Sequence, residues 1–224
     1  VVTDRQAIFL DAPAVFDLAG YASGGPMISW QPDRGTRIGV MDRDGDGSDL
    51  RWIPIDNCYV FHFLNAFSDG DRVVIDACRL PRMDIGLDPA SPPLGDGEDP
   101  SGYLTRFTVD LAAGTAGHHR IAELSGDFPR IDDAVAGRRH RHGYVATFAA
   151  GAPDRTVPGA DGQFDSITAY DLELGTESSY LVGPGRSIGE PVVASAPSGT
   201  EGEGWVMSYV YDRATDRSEV HILD

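Results

Sequence analysis

Helical periodicity is nearly absent from this chain, and its apolar residues come in short runs at spacings of roughly ten residues. The runs predict strands near 6–11, 36–42, 50–55, 57–67, 71–80, 103–110, 118–124, 142–149, 165–172, 178–183, 190–196, 204–212 and 217–223. Between them fall 27 glycines and 15 prolines, the residues that punctuate turns. In "NAFSDGDRVVIDACR" two apolar runs meet across Ser68 to Asp71, where Asp69-Gly70 supplies the positive φ of a tight hairpin. A second hairpin is predicted in "GWVMSYVYDRATDRSEVHIL", turning between Arg213 and Arg217. The stretches 84–102 and 150–163 are too rich in Pro, Gly and Asp for regular structure and read as surface loops. This pattern fits a sandwich, a barrel or a propeller. About thirteen strands make roughly three four-stranded blades, too few to close a ring. Both ends break off within strand patterns, so the reading expects a cut chain that forms one partial domain over residues 1–224.

Composition narrows the picture. Forty-one percent apolar residues among 224 can build a core. The formal net charge of −17 repels phosphate backbones and argues against nucleic acid as a partner. Cys58 and Cys78 lie in strand-like runs without CxxC spacing, which suits reduced thiols inside a cell. No apolar run is long enough for a membrane-spanning helix, and no signal-peptide pattern is present. A cytoplasmic location is expected, with peripheral membrane association allowed.

Candidate chemistry centres on "NCYVFHFLNAF", residues 57–67, which sets His62 in the most aromatic run of the chain. Strict alternation would put Cys58, Val60, His62, Leu64 and Ala66 on one face and Tyr59, Phe61, Phe63, Asn65 and Phe67 on the other. By itself the pattern allows a core histidine satisfied by a carbonyl or a metal ligand. "DRDGDGSDLRWI" carries acidic residues at 42, 44 and 46 and then Gly47, like the first half of a calcium loop. Its twelfth residue is Ile53, not glutamate, and its flanks look like strands, so it reads as a β-turn. His118, His119 and His221 read as solvated or half-exposed strand positions. His140 and His142 lie in a cationic segment, "GRRHRHGYVA", that reads as a surface pairing with carboxylates.

At "NCYVFHFLNAFSDGDRVVIDACR" the sequence resembles the region around an iron-binding histidine of the carotenoid cleavage oxygenases. That family includes lignostilbene dioxygenases, apocarotenoid oxygenases and the retinal pigment epithelium isomerase. "VVTDRQAIFLDAPAVFDL", "GDFPRIDDAVAGRRHRHGYVA" and "GEPVVASAPSGTEGEGWVMSYVYDRATDRSEVHILD" match further family blocks in the same order. The resemblance implies a seven-bladed β-propeller, of which this chain would supply roughly the later half. It also implies a non-haem Fe(II) on the propeller axis, held by four histidines from inner strands.

Only His62 falls on one of those four ligand positions; the other three would lie beyond Val1 and Asp224. The resemblance further implies carboxylates that accept the outward N–H of ligand histidines. Glu190 matches one such position, and Asp127 stands where the family block has glutamate, one methylene longer. The implied reaction is oxidative cleavage of a conjugated C=C bond by dioxygen, on a carotenoid, an apocarotenoid or a stilbene. No catalytic side chain beyond the metal site is implied. So apolar a substrate needs aromatic walls, and Tyr59, Phe61 and Phe63 are candidates for lining or for plain core packing. Two other readings are a non-catalytic propeller that binds an apolar ligand or partner after losing its iron site, and a calcium-stabilised β-domain using Asp42, Asp44 and Asp46.

Overall fold

The computed structural model describes residues 1–83, 99–149 and 163–224. The Pro/Gly/Asp-rich stretches expected to be loops lie mostly outside these residues. The chain begins with β1 (Gln6–Asp11), β2 (Ala14–Phe16), the short helix α1 (Leu18–Ala22), β3 (Ile28–Trp30), β4 (Thr36–Asp42) and β5 (Arg51–Ile55). Strands β1, β4 and β5 form one antiparallel sheet, and β2 with β3 form a two-stranded arm inserted between β1 and β4.

Next come β6 (Tyr59–Asp69), β7 (Arg72–Leu80), β8 (Tyr103–Asp110), β9 (Thr115–Arg130), β10 (His142–Thr147), β11 (Ser166–Asp171) and β12 (Thr176–Leu181), hydrogen-bonded in sequence order as seven strands. The last sheet holds β13 (Arg186–Ile188), β14 (Val192–Ser195), β15 (Gly204–Asp212) and β16 (Arg217–Leu223).

The seven strands are two blades joined through β9, whose two halves do different work. Residues Thr115 to Arg120 pair with β8 and are mostly exposed, as the outer strand of a blade should be. Gly126, Asp127 and Arg130 pair with β10 and open the next blade from its first strand. The sequence predicted a strand over 118–124 alone. The extra length follows because one extended segment completes one blade and starts another.

Three apolar clusters lie between successive sheets. The first joins β1, β4 and β5 to β6, β7 and β8 through Ile8, Ile38, Val40, Ile53, Val73 and Ile75. The second holds Leu64, Cys78, Leu104, Ala122, Val145 and Tyr170, and the third Ile167, Val182, Ile188 and Val210. Each buried Val, Leu or Ile side chain contributes about 1.5–3 kcal/mol by leaving water. Sheets stacked face to face in chain order are blades of a β-propeller.

Both cysteines are free and buried, and burial pushes the Cys58 thiol up to about 11 and raises that of Cys78. Arg141 pairs with Asp171 and Arg139 with Asp69 at 3.1 Å, as a carboxylate-pairing segment should. His140 departs from that expectation: it is buried, with Nε2 3.3 Å from Asp76 Oδ2. At that separation Nε2 makes no hydrogen bond by geometry, and the contact with the carboxylate is electrostatic.

The Asp42–Asp49 segment joins β4 to β5 as a turn closed on itself. Asp42 Oδ1 accepts from the Asp44 amide at 2.9 Å, and Asp46 Oδ1 from the Ser48 amide at 2.9 Å. No helix flanks it, as the turn reading expects.

Candidate metal centre

The alternation expected around His62 does not hold. The pairing of β6 with β7 shifts register between Val60 and Phe63 and again between Phe63 and Asn65. After these bulges Leu64, Asn65, Ala66 and Phe67 are all buried in succession. A bulge adds backbone on one strand and re-aims the side chains beside it. His62 is turned partly out of the core, its side chain 42% exposed, although its neighbours are among the most apolar in the chain.

Its Nδ1 lies 3.1 Å from Asp127 Oδ1, on the half of β9 that opens the next blade. The side chain that is one methylene short of glutamate therefore reaches the ring directly. A carboxylate only accepts, so this pairing assigns a proton to Nδ1, and in the neutral ring Nε2 carries the lone pair. Among the described residues Nε2 has no hydrogen-bond partner. Burial pushes the Asp127 carboxyl above the usual carboxylate range; His62 and the Phe128 amide pull the other way, and the Glu190 charge adds to the rise.

Glu190 sits where the first strand of the last sheet is interrupted. Ile188 pairs with Val210 and Val192 with Met207, so three residues of one strand oppose two of the other. The carboxylate of Glu190 bonds the guanidinium of Arg130, again on β9. Asp127 and Arg130 thus bring the first strands of three successive blade units together. Arg130 was missed in the sequence, although it sits in the quoted "GDFPRID" block.

Phe128 was missed as well. Its ring centroid lies 4.8 Å from that of His62 and 5.7 Å from Phe164, which packs 4.5 Å from Phe148. Its φ is 53°, a conformation that costs a non-glycine residue on the order of 1–3 kcal/mol. No sequence pattern announces that value.

Of the predicted lining residues, Phe61 is partly exposed, with its ring 6.4 Å from His62 and edge-on to Tyr59 at 4.8 Å. Phe63 packs against the first apolar cluster. Among the described residues no group of three or more His, Cys, Asp or Glu side chains could hold a metal ion by itself. A carboxylate-oriented imidazole with its other nitrogen unbonded nevertheless has the chemistry of one ligand in a shared metal centre.

The family signature of the retinal pigment epithelial membrane protein matches residues 1–224. The apocarotenoid-15,15'-oxygenase of Synechocystis is 32% identical over the whole chain, which covers 45% of that protein. Isoeugenol monooxygenase of Pseudomonas putida is 30% identical, again over the whole chain and 48% of its own length. Among solved structures, the lignostilbene dioxygenase of Pseudomonas brassicacearum superposes with a TM-score of 0.85 at 27% identity, over all of this chain and 48% of that one. A cobalt-substituted Synechocystis ACO gives 0.82 at 28% identity, over all of this chain and 46% of that one. The chain spans a little under half the length of these relatives.

Proposed function

The chain belongs to the retinal pigment epithelial membrane protein family, that of the carotenoid cleavage oxygenases, and on that premise we propose that it is one partial propeller domain of a non-haem Fe(II)-dependent oxygenase. The proposed reaction splits a conjugated C=C bond of a carotenoid, an apocarotenoid or a stilbene with dioxygen. The observation that carries the reading is the 3.1 Å contact between His62 Nδ1 and Asp127.

In this reading His62 presents Nε2 to the metal, and Asp127 holds the ring in that tautomer while adding negative charge behind it. Glu190, anchored by Arg130, serves a further ligand histidine that lies outside this chain. Iron(II), when bound, supplies open coordination positions at which dioxygen binds and is reduced. Phe61 and Tyr59 present aromatic surface beside His62, suited to a flat apolar substrate and to positive charge developing on it.

Such a substrate partitions into lipid. We therefore also propose peripheral membrane contact through the exposed Phe16, Leu18, Tyr21 and Met27 of the β2–α1–β3 arm.

The test is metal content of the full-length protein and of its His62→Ala variant after anaerobic Fe(II) loading. About one iron per chain in the parent, lost in the variant, is the expected result. No iron in either protein would overturn the reading and leave a propeller that binds an apolar ligand without this chemistry.

A further inference from the structure

Among the described residues, only Phe128 and Asp216 have a positive φ without being glycine. Asp216 lies in the turn between β15 and β16, where aspartate tolerates this conformation. Phe128 lies inside β9 and precedes Pro129, whose ring pushes the residue before it toward extended backbone. The surroundings must therefore hold Phe128 where it is.

Two features do so. The first is a bulge: Asp127 pairs with Ala146 and Arg130 with Tyr144, so β9 carries one residue more than β10 across that interval. The extra residue cannot be absorbed earlier. At Gly126 a Cβ would come within 2.3 Å of the Ala146 carbonyl oxygen, so that backbone is already seated against β10. The second is the ring itself, packed edge-on against Phe164 at 5.7 Å and lying 4.8 Å from the imidazole of His62. Asp127, the residue just before the reversal, is the one whose carboxylate meets Nδ1.

We infer that Phe128 is a positioning residue: its left-handed backbone, held by the packing of its ring, delivers the Asp127 carboxylate to His62 Nδ1 and thereby fixes the tautomer of the imidazole. The use of that tautomer rests on the proposed metal reading, but its existence does not.

The experiment uses metal-free full-length protein labelled with 15N-histidine, at a pH where the ring is neutral. The His62 signals are assigned by their loss in His62→Ala. Phe128→Gly adopts positive φ without help from packing, so it keeps the Nδ1–H tautomer and changes Fe(II) affinity little. Phe128→Val is β-branched and disfavours that backbone, so the Nδ1–H signature is lost and Fe(II) binding weakens about 10–100-fold.

An unchanged tautomer in Phe128→Val, or a lost one in Phe128→Gly, would overturn the inference. If Phe128→Val does not fold, Phe128→Gly decides alone by the same criterion. Absence of iron from the parent protein would count against the metal reading and leave the tautomer result standing.

Discussion

Asp76 is wholly buried, and its neighbours show how this chain manages charge in a β-core. Arg106 grips both of its oxygens with hydrogen bonds of 2.8 and 2.7 Å, and His140 Nε2 lies 3.3 Å from Oδ2, one of those same two oxygens. Asn65 sets the histidine: its Oδ1 accepts the Gly137 amide at 2.9 Å, and its Nδ2 donates to the Arg138 carbonyl at 2.9 Å and meets His140 Nδ1 at 3.1 Å. Nδ1 is therefore an acceptor, and the proton sits on Nε2, facing Asp76.

Burial alone would raise the Asp76 carboxyl, but Arg106 and His140 outweigh it and hold it below the usual carboxylate range. Removing that charge leaves the half-buried Arg106 guanidinium without its counter-charge, so Asp76→Asn should cost about 3 kcal/mol in urea denaturation at pH 7. The folded pKa is depressed, so the contribution is complete above the ordinary value of 3.8 and is lost as pH falls through and below it. The gap between parent and variant should narrow from pH 5 toward pH 3; a gap that stays constant would remove the ionic explanation. Asp76 and Asn65 are separated in the chain from Arg106 and His140, so no local pattern could show the network.

At the scale of elements, the arm formed by β2, α1 and β3 behaves unlike the blades. Helix α1 has no buried residue, and Asp17 caps it by accepting the Gly20 amide at 2.8 Å. Phe16 is 69% exposed and Leu18 71%, far more than a strand-turn-helix inside a core would show. If the arm meets lipid, full-length protein should float with neutral phosphatidylcholine vesicles, and Phe16→Ser with Leu18→Ser should leave it in the soluble fraction. Equal flotation of parent and double variant would rule the arm out.

The arm was not among the predicted strands, because runs as short as Ala14–Phe16 and Ile28–Trp30 carry no readable period. The hairpin at Gly70, with φ 63°, and the one between Asp212 and Arg217 were legible because turn chemistry is local. The break at Gly189 to Pro191 was not. The run predicted as a strand over 190–196 begins only at Val192, because Pro191 has no amide to give the ladder, and β13 before it was not predicted.

At the scale of the whole molecule, the apolar surface left open is considerable. Tyr209 is 71% exposed, Ile222 61% and Val220 55% on the last sheet, and Leu181 57% on β12, the outer strand of the seven-stranded sheet. Exposed strands of this kind pair with other chains. The 224-residue chain made alone should therefore self-associate, seen as a mass above 24.0 kDa in light scattering. A monodisperse monomer would contradict this.

The sequence by itself determined the all-β class, most strand positions, the tight turns and the family, because alternation, Asp-Gly turns and ordered motifs are properties of neighbouring residues. It also placed His62, Asp127 and Glu190 in motifs worth testing. Tertiary structure alone decided that Asp127 reaches His62, that Glu190 is held by Arg130, and that Phe128 reverses the backbone between them. Those relations depend on register shifts and on how successive blades stack, and the His62–Asp127 and Arg130–Glu190 contacts join residues 65 and 60 positions apart.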